Sequence, residues 1–272
     1  MQAARLITLM TVSAAAYAHV AQAEDGQAAA CRFEKLGTFA AGPVTDGRTF
    51  RLQDGREVRL AGIEALPSSS AGKGGAQALA ATAAKAALEE LLSGSHVILK
   101  NAESSSDRYG HLVAHAFVTR AGRESWVQQE MMAAGHARVG SRLGPAPCAA
   151  ALLASESAAR QAKLGLWADP YYAIKPADDA AALLSERGRF VIAEGKVLSV
   201  RESGGTIYIN FGRVWSRNLT VTILRRNKRA FAAAGLKPEK LEGRRARVRG
   251  WVEERGGPQI EAARPEQIEI VD

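Results

Sequence analysis

Two Asp-Gly dipeptides, Asp46-Gly47 and Asp54-Gly55, sit between short runs that alternate apolar and polar residues. This pair suits the two-residue hairpin turn, whose central residues both need φ above zero and whose twist matches that of the flanking strands. The spacing predicts strands over 36–44, 49–53 and 57–63, joined as a meander. Three short strands cannot bury an apolar face by themselves, so the fold depends on the segments C-terminal to them. The Ala-rich run 76–92 places Leu79, Leu88, Leu91 and Leu92 on one helical stripe and stops at Gly94. Runs 96–100 and 111–119 return to strand alternation across the polar stretch 101–110, and 123–134 and 149–163 are expected to be helices. Three strands, a helix, two strands and trailing helices is the order of a small five-stranded barrel with helical additions.

The chain has 272 residues, room for two domains and a leader, and its 47% hydrophobic and 24% charged content excludes wholesale disorder. Residues 1–23 carry one cation, Arg5, then an apolar run and Ala21-Gln22-Ala23, the pattern of a secretory signal peptide. No later stretch reaches the roughly 18 apolar residues of a spanning helix, so stable membrane insertion is not expected. Export implies the periplasm or the extracellular space. There Cys31 and Cys148, the only cysteines, are expected to join; two buried thiols are the alternative. With no CxxC spacing they suggest neither a zinc site nor a redox centre.

Charge divides the chain. The net charge is +8, yet residues 24–184 hold equal numbers of cations and anions, so the excess belongs to 185–272. Pro170, Pro176 and the acidic Asp178-Asp179 interrupt periodicity between the halves. We therefore divide the chain into a 24–35 extension, a 36–176 domain, a 177–186 linker and a 187–272 basic domain. The last domain again orders strands, a helix at 228–234 and more strands. In 244–252, Ala246, Val248, Gly250 and Val252 form one face and Arg245, Arg247, Arg249 and Trp251 the other. A guanidinium stripe ending in an aromatic suits single-stranded nucleic acid, and Tyr208 alternates in the same way on another strand. The ordinary alternative is a solvated face whose arginines pair with Glu253, Glu254 and Glu261.

Four segments carry a family resemblance: 45–52 with its Asp-Gly turn, 58–65 (VRLAGIEA), 107–111 (DRYGH) and 163–167 (KLGLW). In order and spacing they resemble the staphylococcal-type thermonuclease domain over about residues 36–170. That resemblance implies an OB-type five-stranded barrel, and for active members a calcium-dependent phosphodiesterase acting on DNA and RNA. The fold class expected is mainly β with helices, an OB-type barrel followed by a second OB-like barrel.

Phosphodiester hydrolysis on such a site asks for carboxylates to hold a metal, cations to neutralise developing charge, and a group that orients water. By resemblance, Arg59 matches a phosphate-binding arginine and Glu64 a metal carboxylate. Arg48 stands where a metal-binding Asp belongs, Ala65 and Pro67 where a Thr and a Glu belong, and His111 where a second Arg belongs. A guanidinium stays protonated and repels a metal ion, by about 4 kcal/mol per unit charge at about 4 Å and an effective dielectric of about 20. Arg48 is therefore expected to pair with Glu64 in place of the metal, leaving no cofactor; calcium belongs only to the alternative of an active enzyme. His111 is either a phosphate donor or general acid, or an ordinary polar surface residue. His115 lies four residues on. Tyr109 could stack on a base or simply pack. The functions in contention are a degenerate thermonuclease-like protein binding nucleic acid or another polyanion, an active nuclease with a rearranged site, and an envelope module binding a protein or glycan.

Overall fold

The computed structural model describes residues 31–67, 75–107, 109–141 and 146–271. The expected signal peptide, most of the N-terminal extension and most of the Ser- and Gly-rich loop at 68–75 lie outside them.

The first meander is β1 (Lys35–Asp46), β2 (Thr49–Leu52) and β3 (Glu57–Leu60). A two-residue strand, β4 (Ile63–Glu64), comes next, then helix α1 (Gly75–Leu92). β5 (His96–Ser106) and β6 (Leu112–Arg120) complete a closed five-strand barrel. β1 pairs with β2 through its second half and with β5 through its first, while β3 runs parallel to β6 from Val58 opposite Leu112. Phe50, Leu52, Val58, Leu60, Leu99 and Val118 fill the barrel. α1 lays Ala84, Leu88 and Leu92 against that core; of the expected stripe Leu88 and Leu92 are buried, Leu91 packs partly against the core, and Leu79 is exposed instead, near the start of the helix. Gly47 makes the approach of α1 possible at the turn, where an added Cβ would come within 2.5 Å of the Cβ of Ala84.

Two expectations are corrected by the strands. The run 101–106, read as loop, is strand, because β5 continues past a bulge after Asn101. The helix read over 123–134 begins as a strand, β7 (Arg123–Trp126), and only α2 (Val127–Ala133) is helical. Arg120 faces Arg123 across a two-residue turn in which both Ala121 (φ 47°) and Gly122 (φ 78°) have positive φ. That is the hairpin geometry the Asp-Gly pairs signal, formed in this turn with an alanine that gives no such signal.

β8 (Arg138–Val139) pairs with β4, and α3 (Ala146–Gln161) comes after it. The KLGLW segment then returns to α2: Leu166 N–H donates to Gly135 O at 2.9 Å. Gly135 and Gly165 meet backbone to backbone, both at positive φ, and a Cβ on Gly165 would stand 2.4 Å from Gly135 O.

Cys31 and Cys148 form a disulfide. It ties the start of the described chain to the first turn of α3 and lays Phe33 over His115, their rings 4.0 Å apart. His115 is buried to 1% exposure, and burial pushes its pKa down to about 3. The unfolded chain therefore takes up a proton below about pH 6.5 that the folded one refuses, so stability is lost as the pH falls. Between pH 7.5 and 5 this group should remove about 2 kcal/mol. Urea unfolding of His115→Leu should show that part of the slope gone; an unchanged slope would refute the assignment.

β9 (Lys175–Pro176) and α4 (Ala180–Ser185) occupy the stretch read as boundary and linker. β9 pairs with β10 (Phe190–Lys196), and Ala177 and Leu183 belong to the C-terminal core, so apolar burial draws this segment into the second half. β11 (Ser199–Ser203), β12 (Thr206–Asn210) and β13 (Thr220–Ile223) form a second meander. After α5 (Lys228–Ala233) come β14 (Arg245–Glu254), β15 (Pro258–Glu261) and β16 (Ile268–Ile270). β13 runs parallel to β15, and β14 is antiparallel to both β15 and β10. β10 and β11 are consecutive, and between them Val197 N–H bonds Arg244 O while Leu198 N–H bonds Asn210 O. The pairing order thus matches that of the first barrel, with the helix in the same place.

Candidate functional site

Arg48 belongs to the β1–β2 turn, where its N–H donates to Asp46 Oδ1 at 3.0 Å. Glu64 lies on β4 directly opposite Arg138 on β8. The guanidinium of Arg48 is ion-paired with the Glu64 carboxylate, as its charge demands, and both side chains are largely buried. Glu64 also acts electrostatically on Arg138, whose charge burial disfavours and the carboxylate supports. One carboxylate between two guanidinia leaves a local excess of positive charge. Ala65 is buried against the turn and Pro67 lines the adjoining cavity; neither side chain can bind a metal. The residues present do not fit a calcium ion. Among the described residues, no three His, Cys, Asp or Glu side chains gather as a metal site.

Arg59 and His111 come together elsewhere, around Asp107. Arg59 Nη1 approaches Asp107 Oδ2 at 3.4 Å, and His111 Nδ1 lies 2.9 Å from the same oxygen. His111 Nε2 stands 3.1 Å from Glu57 Oε2, so both ring nitrogens face carboxylates. Burial raises the pKa of Asp107, but hydrogen bonds from His111 and from the N–H groups of Tyr109 and His111 outweigh it and hold the value at about 2. Tyr109 is exposed, its ring 5.9 Å from that of His111. No hydrogen bond or ion pair among the described residues joins this cluster to Arg48 and Glu64. His115 faces away from the barrel interior, beneath Phe33 and beside Trp126, and is not part of this cluster.

The arginine stripe is corrected most. Arg249 has no exposed surface: Nη1 donates to Glu156 Oε2 of α3 at 2.8 Å and to Val139 O at 3.2 Å, while Nη2 binds Glu269. Burial disfavours its charge, but Glu156 and Glu269 more than compensate and raise its pKa. Arg247 and Arg245 both bind Glu194. The partners are thus Glu156, Glu194 and Glu269 rather than Glu253, Glu254 and Glu261: β10 and β16 place Glu194 and Glu269 across from Arg247, and at Arg249 the face meets Glu156 of the first half. Trp251 alone remains exposed as a large apolar group, 47% accessible. Tyr208 lies on β12 between Arg201 and Thr222, half-buried.

A cavity of about 320 Å³ opens between the two halves. Arg48, Glu64 and Arg138 line it from the first half, and Glu186, Arg189 and Trp251 from the second. Between them Tyr171 is a hub. Its hydroxyl donates to Glu186 Oε2 at 2.9 Å and accepts from Gln77 Nε2 at 2.7 Å and Arg189 Nη1 at 3.1 Å. Sequence reasoning missed Arg138, Tyr171, Lys175, Glu186 and Arg189, since no local pattern marks residues that converge only through docking.

A closed five-stranded barrel with its helix after the third strand defines a small barrel domain with a site at the rim. Residues 57–169 match the family described as Staphylococcal nuclease homologue, and the chain carries a domain of that family. The match begins at β3; β1 and β2, before it, complete the barrel. No curated protein matches the chain. No helix among the described residues is long and apolar enough to cross a membrane.

Proposed function

We propose that this is an exported nuclease-family protein that no longer hydrolyses phosphodiesters with calcium and instead binds nucleic acid or a similar polyanion. The observation that carries the reading is the Arg48–Glu64 ion pair, which engages the metal carboxylate with a permanent cation. Pro67 leaves no carboxylate to orient water, and both His111 nitrogens are engaged by carboxylates. A disulfide favours an oxidising compartment and hence export. The repeated pairing order supports a second OB-type barrel, a fold that serves oligonucleotide binding among other tasks. On it the loop after β12 exposes Trp215 between the exposed Arg213 and Arg217, the pairing of aromatic and cation that stacks and neutralises a single strand.

Purified mature protein should leave plasmid and single-stranded DNA intact with calcium or with chelator. It should bind single strands with an affinity that falls steeply with salt. Arg48→Asp with Pro67→Glu restores the two carboxylates while Ala65 and His111 stay as they are, and calcium-dependent cleavage by that variant alone would support loss of activity through positions 48 and 67. Brisk calcium-dependent turnover by the unmodified chain would overturn the reading, and cleavage insensitive to chelator would favour a rearranged nuclease built on Arg59 and His111.

A further inference from the structure

The cavity between the halves has three properties that together select a ligand. Its lining holds four cations, Arg48, Arg138, Lys175 and Arg189, against two carboxylates, Glu64 and Glu186, a surplus of two positive charges. Phe190 and Trp251 bring aromatic surface, their rings 6.1 Å apart. Tyr172, also in the lining, buries a hydroxyl that has no partner among the described residues.

The cavity is also bridged. Arg138 Nη1 donates to Phe190 O at 2.7 Å, and its guanidinium lies 5.2 Å from the Phe190 ring centre. This contact joins β8 of the first half to β10 of the second beside Glu64. A strand running continuously past Glu64 would meet β10. Its volume lies at the small end of the range for small-molecule sites, suited to one nucleotide rather than a length of strand.

We propose that this crevice holds the phosphorylated end of a single strand, with the terminal phosphate among Arg138, Lys175 and Arg189 and the terminal base against Trp251. The proposal rests on the polyanion-binding reading and gives it a substrate class. A terminal phosphate monoester carries close to two negative charges at neutral pH, matching the lining's surplus, whereas an internal phosphodiester carries one. The described hydrogen bonds of Arg138 and Arg189 run through Nη1 alone, and a guanidinium has five donors, so each retains a fork for phosphate oxygens. Exposed Trp251 supplies the sequence-tolerant stacking that single-strand binders use.

The test is competition for a fluorescent, 5′-phosphorylated oligothymidylate, with a 3′-phosphorylated probe run alongside. The same strand without a terminal phosphate, and a circular strand of equal length, should each compete at least tenfold less well. Arg189→Ala and Trp251→Ala alter partly exposed side chains, and each should weaken the phosphorylated probe about tenfold without changing affinity for the circle. Equal competition by the circle would overturn end recognition and leave polyanion binding standing. Failure of every strand to bind, at low salt, would overturn both.

Discussion

Arg249→Met is expected to destabilise the protein by about 3–5 kcal/mol, the range for breaking one side of a buried ion pair. Glu156 and Arg249 both have 0% side-chain exposure and meet at 2.8 Å. With the guanidinium gone, Glu156 keeps the Val139 N–H at 2.8 Å and Arg160 at 3.6 Å, too little for a carboxylate removed from water. Most of the loss is the penalty of that stranded charge. Arg249→Met with Glu156→Gln should therefore recover most of it, since the amide oxygen can still accept from Val139 and no charge is left buried. Arg247 is partly exposed and bound to Glu194, so Arg247→Ala should cost about 1 kcal/mol. Urea unfolding of the four proteins decides the matter. A single Arg249→Met within 1 kcal/mol of the parent, or a double variant no better than the single, would show that this pair does not secure the seam.

Opening the disulfide should cost a similar amount, about 3–5 kcal/mol. Cys31 and Cys148 are 117 residues apart, and closing a loop of that length removes about 5 kcal/mol of unfolded-chain entropy in the simplest treatment. Native relaxation reduces the figure. The bridge also has a local consequence, because it holds the segment carrying Phe33 over His115, and Phe33 further meets Trp126 at 5.4 Å between ring centres. Cys31→Ala should accordingly lower stability and admit solvent to His115, raising its pKa toward the ordinary value and weakening the acid sensitivity of the fold. Thermal unfolding with and without reductant, at pH 7.5 and 5, tests both parts. Equal melting temperatures with and without reductant would exclude the stabilisation.

Much of the first barrel was legible because its signals are local. Asp46-Gly47 and Asp54-Gly55 mark where the turns fall, although of these four residues only Gly55 (φ 89°) takes positive φ, and the spacing of 76–92 gives the helix, with Leu88 and Leu92 on its buried face but Leu79 exposed. The turn at Ala121-Gly122 was not legible, since an alanine at positive φ is held there by the strands it joins. The face of β14 was half legible. Alternation correctly separated Ala246, Val248 and Val252 from the arginines, but it cannot say what the arginine face meets.

The identity of residue 48 needs no fold to be informative: the family resemblance places a dication there, and a guanidinium, charged at every working pH, conflicts with it. What required three dimensions was the fate of the cations where the two halves meet. Arg249 finds Glu156 across 93 residues, and Arg138 finds Phe190 across 52. Such partners are chosen by how two packed bodies dock, because a buried charge must take whichever counter-charge the interface brings within reach, and no periodicity along the chain encodes that distance.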